Sequence, residues 1–296
     1  MLIYPKLNFY PNSIFFLLFC IYGVNFMYTS VKTDNILTVK SMYTAFKSTF
    51  DSTYSFSGEF HNFWEMVLVL DGKLGVTAGS NVHILQKGQA ILHEPMEFHS
   101  LWSEGGTTPT VVIFSFAAKN MPEIPSKIME FDNIHKPSDI LSLMHSSFIM
   151  EYNINFTGVK SEKSIAHQLA IKELECFILS LMNNGATANS ALQTRTARNF
   201  SKAVNVLEKN VDKNLSVADI AKLCNIGEVS LKKTFSRYSG MGVMAYFTKM
   251  KITSAIQMLK SGMNVSETAN SLGFSNQNYF STVFKRITGY PPSHYK

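Results

Sequence analysis

The sequence predicts an α+β protein with more than one domain: a β-rich region first and an all-α region in the C-terminal third. Short apolar runs separated by Gly, Pro, Asn and Asp fill residues 31–118, which is typical of many short strands in a sandwich or barrel. The C-terminal region instead has helical periodicity, and it contains one two-helix pattern twice. The balance of charges also differs between the two regions.

The net charge is distributed unevenly along the chain. Residues 196–296 contain 11 Lys and 3 Arg against 2 Asp and 3 Glu, whereas residues 1–195 contain 13 basic and 16 acidic residues. The formal net charge of +6 therefore conceals a strongly basic C-terminal region. Such a region is typical of proteins that bind a polyanion, although a well-solvated surface would also be charged.

An apolar stretch, SIFFLLFCIYGVNFMY, dominates residues 1–30. It is strongly apolar for about twelve residues, whereas a membrane-spanning helix needs about 20. As a signal peptide it has only Lys6 before it, and it lacks a clear cleavage site with small residues. We expect either a true start at Met27 or another downstream Met, or an extra apolar strand; a membrane anchor is the weaker alternative.

The cysteines, Cys20, Cys176 and Cys224, lie far apart in the chain. This spacing indicates reduced thiols and no disulfide framework. It favours a cytoplasmic protein, and the shortness of the apolar stretch makes association with a membrane the weaker expectation.

Helical periodicity begins at about residue 138 and continues to 183. The stretch SEKSIAHQLAIKELECFILSLMNN predicts a helix with one apolar side, formed by Ile165, Leu169, Leu174, Phe177, Ile178 and Leu181. The next residues, NGATANSALQTRT, are polar and small, which is typical of a flexible linker, and we assign it to 184–196. The boundaries are therefore 31–183 for the first domain and 197–296 for the second.

An internal repeat organises the second domain. The stretch LSVADIAKLCNIGEVSLKKTFSRYSGMGVMAYF aligns with NVSETANSLGFSNQNYFSTVFKRITGYPPSHYK, at an offset of 48 residues that becomes 49 after the turn. Each copy predicts a short helix, a turn and a second helix that ends at a glycine. The expected helix caps are Ser216 and Ser266, the turns lie near Asn225 and Gly273, and the terminal glycines are Gly240 and Gly289. This is a duplicated helix-turn-helix plan.

The segment between the copies, YFTKMKITSAIQMLKSG, contains no internal Gly or Pro and predicts one continuous helix. Such a helix sets the separation of the two second helices. If both enter the major groove on one face of B-DNA, they must lie about 34 Å apart.

The two second helices supply the predicted DNA contacts. In the second copy, Tyr279, Phe280, Val283 and Phe284 should face a core, while the opposite side carries short hydrogen-bonding groups suited to base edges. Matching positions in the first copy carry lysines, which either reach bases or only contact phosphates. The expected set is Glu228, Val229, Lys232, Lys233 and Ser236 in the first copy, and Asn276, Gln277, Asn278, Ser281, Thr282 and Lys285 in the second.

The C-terminal hundred or so residues resemble the DNA-binding domain of the AraC/XylS family of bacterial transcription regulators. The shared positions are Ala269, Gly273, Phe274, Tyr279, Phe280, Phe284, Lys285, Gly289 and Pro292. Two positions depart from the family pattern: Lys251, where arginine is usual, and Gly227, where serine is usual. A glycine weakens the cap of the helix that follows it, so the first module's reading helix should be the less rigid.

Two motifs in the β-rich domain resemble those of the cupin barrel. They are HNFWEMVLVLDG and KGQAILHEPMEFHSLW, and in metal-binding cupins the ligands match Glu59, His61, Glu65 and His99. Sensor barrels of the regulator family generally hold an organic effector without metal, so we expect no metal and no cofactor. The expected effector-binding residues are His61, Phe63, Trp64, Glu65, His99 and Trp102. A metal site and a purely structural cluster are the two alternatives.

The resemblance implies a function as well as a fold. It implies a cupin-like barrel with dimerisation helices, followed by a double helix-turn-helix domain that binds promoter DNA. We expect a homodimeric, effector-responsive transcription regulator, an activator that works with RNA polymerase, whose effector is a small organic molecule such as a sugar. The competing hypothesis is a metal-dependent cupin enzyme with an accessory helical domain, and it predicts bound metal and turnover.

Overall fold

The computed structural model describes residues 30–124, 126–160, 164–184 and 191–295. The predictions for the apolar N-terminal segment and Cys20, and for residues 185–190 of the linker, therefore lie outside the described residues. Ile36–Lys296 forms one compact unit, in which strands and C-terminal helices contact each other directly. Among the helices that the structure describes, none combines the length and the apolar character needed to cross a membrane.

The β-rich region is antiparallel throughout its described strand pairs. Among the described residues, one sheet has the order β10-β11-β1-β8-β3-β6-β9 and the other β2-β7-β4-β5. The strands are β1 (Thr38–Thr49), β2 (Ser55–Glu59), β3 (Trp64–Asp71), β4 (Lys73–Ala78), β5 (Asn81–Gln86), β6 (Gln89–His93), β7 (His99–Ser103), β8 (Thr110–Lys119), β9 (Ile128–Glu130), β10 (Phe148–Glu151) and β11 (Asn155–Val159). The predicted strand-rich domain is confirmed.

The continuous apolar run of β3 has a structural cause. Met66 and Leu68 pack into a core shared with the helices that follow the barrel. The alternate residues Val67 and Val69 pack into the interior between the two sheets. Because successive side chains point to opposite faces and both faces are covered, every position from 65 to 70 is buried.

A hairpin interrupts the region that was predicted to be helical between 138 and 183. The structure has helix α1 (Lys136–Ser147), the hairpin of β10 and β11, and then helix α2 (Ser164–Asn183). The hairpin turns through Tyr152 and Asn153, which both have positive φ angles. The sequence of this short hairpin contains apolar residues but lacks the clear apolar–polar alternation that predicts strands. It therefore could not be distinguished from the flanking helices by its pattern.

The apolar side predicted for α2 is only partly correct. Leu174, Phe177, Ile178 and Leu181 are buried, but Ile165 and Leu169 are 76% and 58% exposed. The buried stripe passes through Ala170 instead. Since each helical residue turns by about 100°, Leu169 lies well to the side of that stripe.

The C-terminal region is all-α, as predicted. Its helices are α3 (Arg195–Glu208), α4 (Val217–Cys224), α5 (Glu228–Ser239), α6 (Val243–Lys260), α7 (Val265–Ser271) and α8 (Gln277–Thr288), followed by a 3-10 turn (Pro292–Tyr295). One apolar core lies between α3, α4, α5 and the start of α6. A second lies between the end of α6, α7 and α8. Helix α6 is therefore the continuous connection that the sequence predicted.

The helix ends follow the predicted chemistry with one exception. Ser216 forms a capping box with Asp219, and Gly240 and Gly289 adopt the left-handed conformation at the ends of α5 and α8. The cap of α7 is Asn264 and not Ser266, which lies inside the helix. Asn264 is the residue that matches Ser216 at the offset of 48, so strict use of the repeat identifies it.

Replacing Asn264 with alanine should lower the free energy of unfolding by about 1 kcal/mol, because the side chain accepts a hydrogen bond from Glu267 N. Ser266→Ala, on the same exposed turn, should change it little. Thermal unfolding of both variants tests this assignment. Equal losses in the two variants would contradict it.

Lys251 lies in the middle of α6 and is only 7% exposed. Its Nζ donates hydrogen bonds to Lys213 O at 2.6 Å and Leu272 O at 2.7 Å, and it lies 4.8 Å from the centre of the Phe247 ring. The two carbonyls belong to the segments before α4 and after α7. One ammonium group therefore connects both helix-turn-helix units to the shared helix.

Candidate nucleic-acid interface and barrel site

Helix α5 is the second helix of the first module. Its buried side carries Leu231, Thr234, Phe235 and Tyr238. Its exposed side carries the predicted contacts Glu228, Val229, Lys232, Lys233 and Ser236. Glu228 Oε2 lies 3.5 Å from Lys232 Nζ, so one of the two predicted lysines has an acidic partner on its own helix.

Helix α8 is the matching helix of the second module. Phe280, Val283 and Phe284 are buried, as expected, but Tyr279 is 55% exposed. Its ring contacts Phe274 at the edge of the core, with ring centres 6.1 Å apart. The expectation that Tyr279 faces the core is therefore wrong, because a residue next to Phe280 on a helix lies about 100° to the side.

The predicted polar face of α8 is accessible. Gln277, Asn278, Thr282 and Lys285 are exposed, and Ser281 is half-buried. The Asn276 side chain accepts a hydrogen bond from Tyr279 N at 2.8 Å, so its oxygen already serves as the helix cap.

The two reading helices also carry exposed arginines that the sequence reasoning omitted. Arg237 lies four residues after Lys233, and Arg286 lies four residues after Thr282. Positions four apart lie on neighbouring parts of one helix surface. The same periodicity that selected the lysines and polar residues could have identified both.

In the β-rich domain, the two cupin-like motifs meet at one end of the barrel. Glu59 ends β2, His61 lies in the following loop, Glu65 lies on β3 and His99 begins β7. Glu65 Oε1 is 3.3 Å from His99 Nε2, and Glu65 Oε2 is 3.7 Å from His61 Nε2. Glu59 Oε1 lies 4.0 Å from His99 Nε2. We call these four residues the barrel cluster.

Close contacts shift the pKa values of Glu65 and His99 within the barrel cluster. Burial favours the neutral form of Glu65, yet its contacts with His61 and then His99 hold the pKa of this carboxyl below its usual range. Burial likewise lowers the pKa of His99, but contact with Glu65 outweighs it and raises this pKa above the ordinary value. Ser115 Oγ donates a further hydrogen bond to Glu65 at 2.8 Å.

A second buried network lies beside the barrel cluster, and the sequence reasoning missed it. The His93 ring stacks on that of His99, with centres 4.5 Å apart, and His93 Nδ1 lies 3.2 Å from Glu97 Oε2. Lys127 Nζ lies 2.7 Å from the same oxygen. Burial lowers the pKa of His93 to about 4, and despite burial the contacts with His93 and Lys127 lower the pKa of Glu97 to about 2.

The predicted aromatic residues do not all join the barrel cluster. Phe63 does, since its ring stacks on His61 with centres 3.8 Å apart. Trp64 neighbours Glu65 on β3 and packs into the core that includes α1 and α2.

Trp102 lies three positions after His99, on the other face of β7. Its Nε1 donates to Glu104 Oε2 at 2.7 Å, and its ring lies 5.7 Å from that of Tyr238.

A cavity of about 370 Å³ separates the barrel cluster from the C-terminal helices. Glu59, His61 and Met96 contribute to its barrel side. The opposite side is formed by residues of α6, the end of α8 and the 3-10 turn, namely Lys249, Ile252, Thr253, Ile256, Ile287, Thr288 and Tyr295. Two members of the barrel cluster therefore face the DNA-binding region across this cavity.

The end of α5 contacts the barrel directly. Tyr238 O accepts hydrogen bonds from Thr77 Oγ1 at 2.5 Å and Ser100 Oγ at 2.7 Å. Gly240 packs so closely that an added Cβ would lie 2.6 Å from Ser57 Cα. Helix α5 therefore shares a tight interface with β2, β4 and β7.

Two family models match the chain. The AraC-like ligand binding domain matches residues 48–146, and the helix-turn-helix domain matches residues 220–296. The matches fall on the barrel with α1 and on the two reading modules. The order of the two matches, a ligand-binding domain followed by a helix-turn-helix domain, is the order that the sequence motifs predicted.

Two relatives of this chain are described as regulators of transcription. YidL of Escherichia coli strain K12, described as an uncharacterized HTH-type transcriptional regulator, is 26% identical over 78% of this chain and 74% of YidL. The transcriptional activator Btr of Bacillus subtilis strain 168 is 24% identical over 74% of this chain and 41% of Btr, so the match spans less than half of that protein.

Among solved structures, fatty-acid-bound ToxT of Vibrio cholerae strain SCE256 aligns with 87% of this chain and 96% of its own, at 17% identity and a TM-score of 0.35. The domain matches and the regulators among the relatives lead to the same conclusion as the duplicated motif: the chain belongs to the AraC family of transcription regulators.

Proposed function

We propose that this regulator reads promoter DNA with the exposed faces of α5 and α8 and activates transcription when a small organic effector occupies its barrel. The observation that carries the proposal is the pair of exposed polar and cationic faces, one on each reading helix, connected through the continuous helix α6. Each face belongs to a helix whose other side is buried in its own core.

The two faces differ in chemistry, and so do their proposed roles. The amides of Gln277 and Asn278 can pair with adenine, and such a bidentate pair contributes about 1–3 kcal/mol of discrimination between bases. Ser281, Thr282 and Lys285 extend the same surface. In the first module Lys232, Lys233 and Arg237 favour phosphate and guanine contacts. The second module therefore contributes more sequence selectivity, and the first more electrostatic affinity.

The proposed effector site is the barrel end that carries His61, Phe63, Glu65 and His99. Polar groups beside an aromatic ring suit a small polar or amphipathic organic molecule, for example a sugar. A conformational change in the barrel can reach α5 directly, because Thr77 on β4 and Ser100 on β7 donate hydrogen bonds to the last turn of that helix. An effector shifts this interface only if it binds one arrangement of the two domains more tightly.

Dimerisation and activation complete the proposal. Ile165 and Leu169 on α2 are exposed apolar residues, and they support a homodimer in which a second copy covers them. An activator would recruit or contact RNA polymerase, and the description of Btr as an activator supports this direction. We infer a cytoplasmic regulator that is not an enzyme, and the descriptions of YidL and Btr as a transcriptional regulator and a transcriptional activator support this.

Selection of random duplex DNA by the full chain tests the reading faces. Wild-type protein should enrich a site with two boxes about one helical turn apart. Gln277→Ala combined with Ser281→Ala should relax the preference in one box and leave non-specific affinity nearly unchanged. Lys232→Ala combined with Lys233→Ala should weaken binding to all sequences and reduce the salt slope by about 1 per lysine that contacts phosphate.

Lys260→Ala, at the exposed end of α6, is the matched control and should change neither property. Salt-sensitive binding without an enriched motif would show that the surface is only electrostatic. A uniform loss in the double variant of α8 would exclude base reading by that helix.

A further inference from the structure

A second cavity, of about 480 Å³, lies between strand β1, the hairpin of β10 and β11, and helix α2. Residues 38–42 form one wall, the hairpin forms a second, and residues of α2 between 167 and 175 form a third. Among the described residues, none lines both this cavity and the one that faces the C-terminal helices, and none belongs to the barrel cluster. A cavity of this size is in the range of sites that hold small organic molecules.

The cavity exists because β1 and β11 diverge. The two strands pair at Thr44 and Asn155, whereas the later residues of β11 pair with β10. Further along β1, Val39 N donates a hydrogen bond to Glu175 Oε1 on α2 at 2.8 Å. A side chain therefore takes the place of a strand partner, and α2 covers the gap between the two strands.

The inner part of the cavity is apolar. Five side chains that line it also belong to, or pack against, the core that α2 shares with the barrel, namely Val39, Met42, Phe148, Phe156 and Ile171. The Phe148 and Phe156 rings meet edge to face, with centres 4.8 Å apart. These groups suit the ring or short hydrocarbon chain of a ligand.

The wall that α2 contributes holds a buried polar atom. His167 lines the cavity, and its ring lies edge-on to that of Phe148, with centres 5.7 Å apart. Its Nδ1 is buried and forms no hydrogen bond within the described part of the chain. An unsatisfied buried polar atom is unfavourable. This nitrogen is therefore suited to a ligand oxygen, to which Nδ1–H would donate.

The lining of the cavity has an excess of positive charge. Its two lysines, Lys40 and Lys172, are exposed at the mouth, and Glu175 is the one acid among the described lining residues. Both oxygens of Glu175 are engaged, Oε1 by Val39 N and Oε2 by Lys172 Nζ at 2.6 Å. Lys40 is left as the uncompensated cation. A ligand with a negative charge would supply its partner.

From these contacts we propose that the cavity binds an apolar organic carboxylate. The apolar body would lie on the Phe148 and Phe156 rings, and the carboxylate would accept a hydrogen bond from His167 Nδ1 and face Lys40. Such a ligand would connect β1, the hairpin and α2, and it would stabilise the fold where the two strands diverge. The site is additional to the effector site proposed above and does not depend on it.

Calorimetric titration of the full chain with hydrocinnamate tests the proposal. Hydrocinnamyl alcohol and phenylpropylamine carry the same apolar body with a neutral and a cationic head. We expect one molecule of the carboxylate per chain, with a dissociation constant below about 1 mM, and a thermal midpoint that rises with its concentration. The alcohol and the amine should bind about tenfold more weakly or less, because neither supplies a charged acceptor.

Two variants remove the proposed contacts. His167→Leu removes the donor and keeps an apolar side chain, so the affinity for the carboxylate should fall by about tenfold or more. Lys40→Gln, at an exposed position that folding does not depend on, should lower it by about two- to fivefold. The matched controls are His145→Leu on α1 and Lys47→Gln on β1, which are exposed residues outside the cavity and should bind like wild type.

Hydrogen exchange locates the ligand. The carboxylate should slow exchange at residues 38–42 and 167–175 and leave exchange at the barrel cluster unchanged. Slower exchange at the barrel cluster instead would assign the ligand to the effector site of the proposed function and overturn the present proposal. Absence of saturable binding would also overturn it, as would equal affinity in wild type, His167→Leu and Lys40→Gln. None of these results bears on the DNA-reading faces.

Discussion

Replacing Lys251 with methionine is expected to lower the free energy of unfolding by about 2–6 kcal/mol, because each buried carbonyl left without a donor costs about 1–3 kcal/mol. The carbonyls are Lys213 O and Leu272 O, which accept from Lys251 Nζ at 2.6 and 2.7 Å. Methionine keeps the apolar stem but supplies no donor. Urea unfolding followed by far-UV circular dichroism measures the change.

Two further variants serve as controls for Lys251→Met. Lys260→Met alters the exposed end of the same helix and should change the free energy of unfolding by less than about 0.5 kcal/mol. Lys251→Arg keeps a cationic donor at the position where the resembling family usually has arginine, and it should retain most of the stability. A loss in Lys251→Met no larger than that in Lys260→Met would show that the two carbonyls find other partners.

Gly240→Ala is the second change with a large expected effect. Gly240 has a φ angle of +62°, and an added Cβ would lie 2.6 Å from Ser57 Cα on the barrel. Gly289 has a φ angle of +81° with nothing within 4 Å of the added Cβ. Both variants carry the cost of a left-handed alanine, about 1–2 kcal/mol, but Gly240→Ala also forces the barrel and α5 apart.

Hydrogen exchange separates the cost of a left-handed alanine from the cost of opening the interface between the barrel and α5. In Gly240→Ala we expect faster exchange in β4 and β7, the strands that bear Thr77 and Ser100, because their interface with Tyr238 opens. In Gly289→Ala exchange in these strands should match wild type. If the two variants lose equal stability and exchange alike in the barrel, the contact between Gly240 and Ser57 is not part of the folded chain in solution.

Local chemistry made much of this fold predictable from the sequence. The duplicated cap, turn and terminal glycine identified both helix-turn-helix units, since each of these positions has its own backbone requirement. The hairpin between α1 and α2 was not predictable, because its residues lack an alternation that distinguishes them from the helices. The cap of α7 was misassigned to a serine, although the repeat itself indicated Asn264.

The candidate sites were predictable to different degrees. The exposed faces of α5 and α8 follow from helical periodicity, with Tyr279 as the exception. The barrel cluster follows from motif spacing, but the stacked His93 and its pairing with Glu97 do not. Those contacts depend on which strands are neighbours, and a single sequence does not specify strand pairing. The hydrogen bonds from Thr77 and Ser100 to Tyr238 depend on domain docking and were equally hidden.

The two helix-turn-helix modules differ in how far the ends of their second helices depend on contacts with the barrel. Helix α8 begins with its own side-chain cap, Asn276, and ends at Gly289, where an added Cβ would have nothing within 4 Å. Helix α5 begins at Gly227 without a side-chain cap, and its last turn receives hydrogen bonds from the barrel. Under the proposed function, the second module would therefore contact DNA independently of the barrel, and the DNA contacts of the first module would depend on the conformation of the barrel.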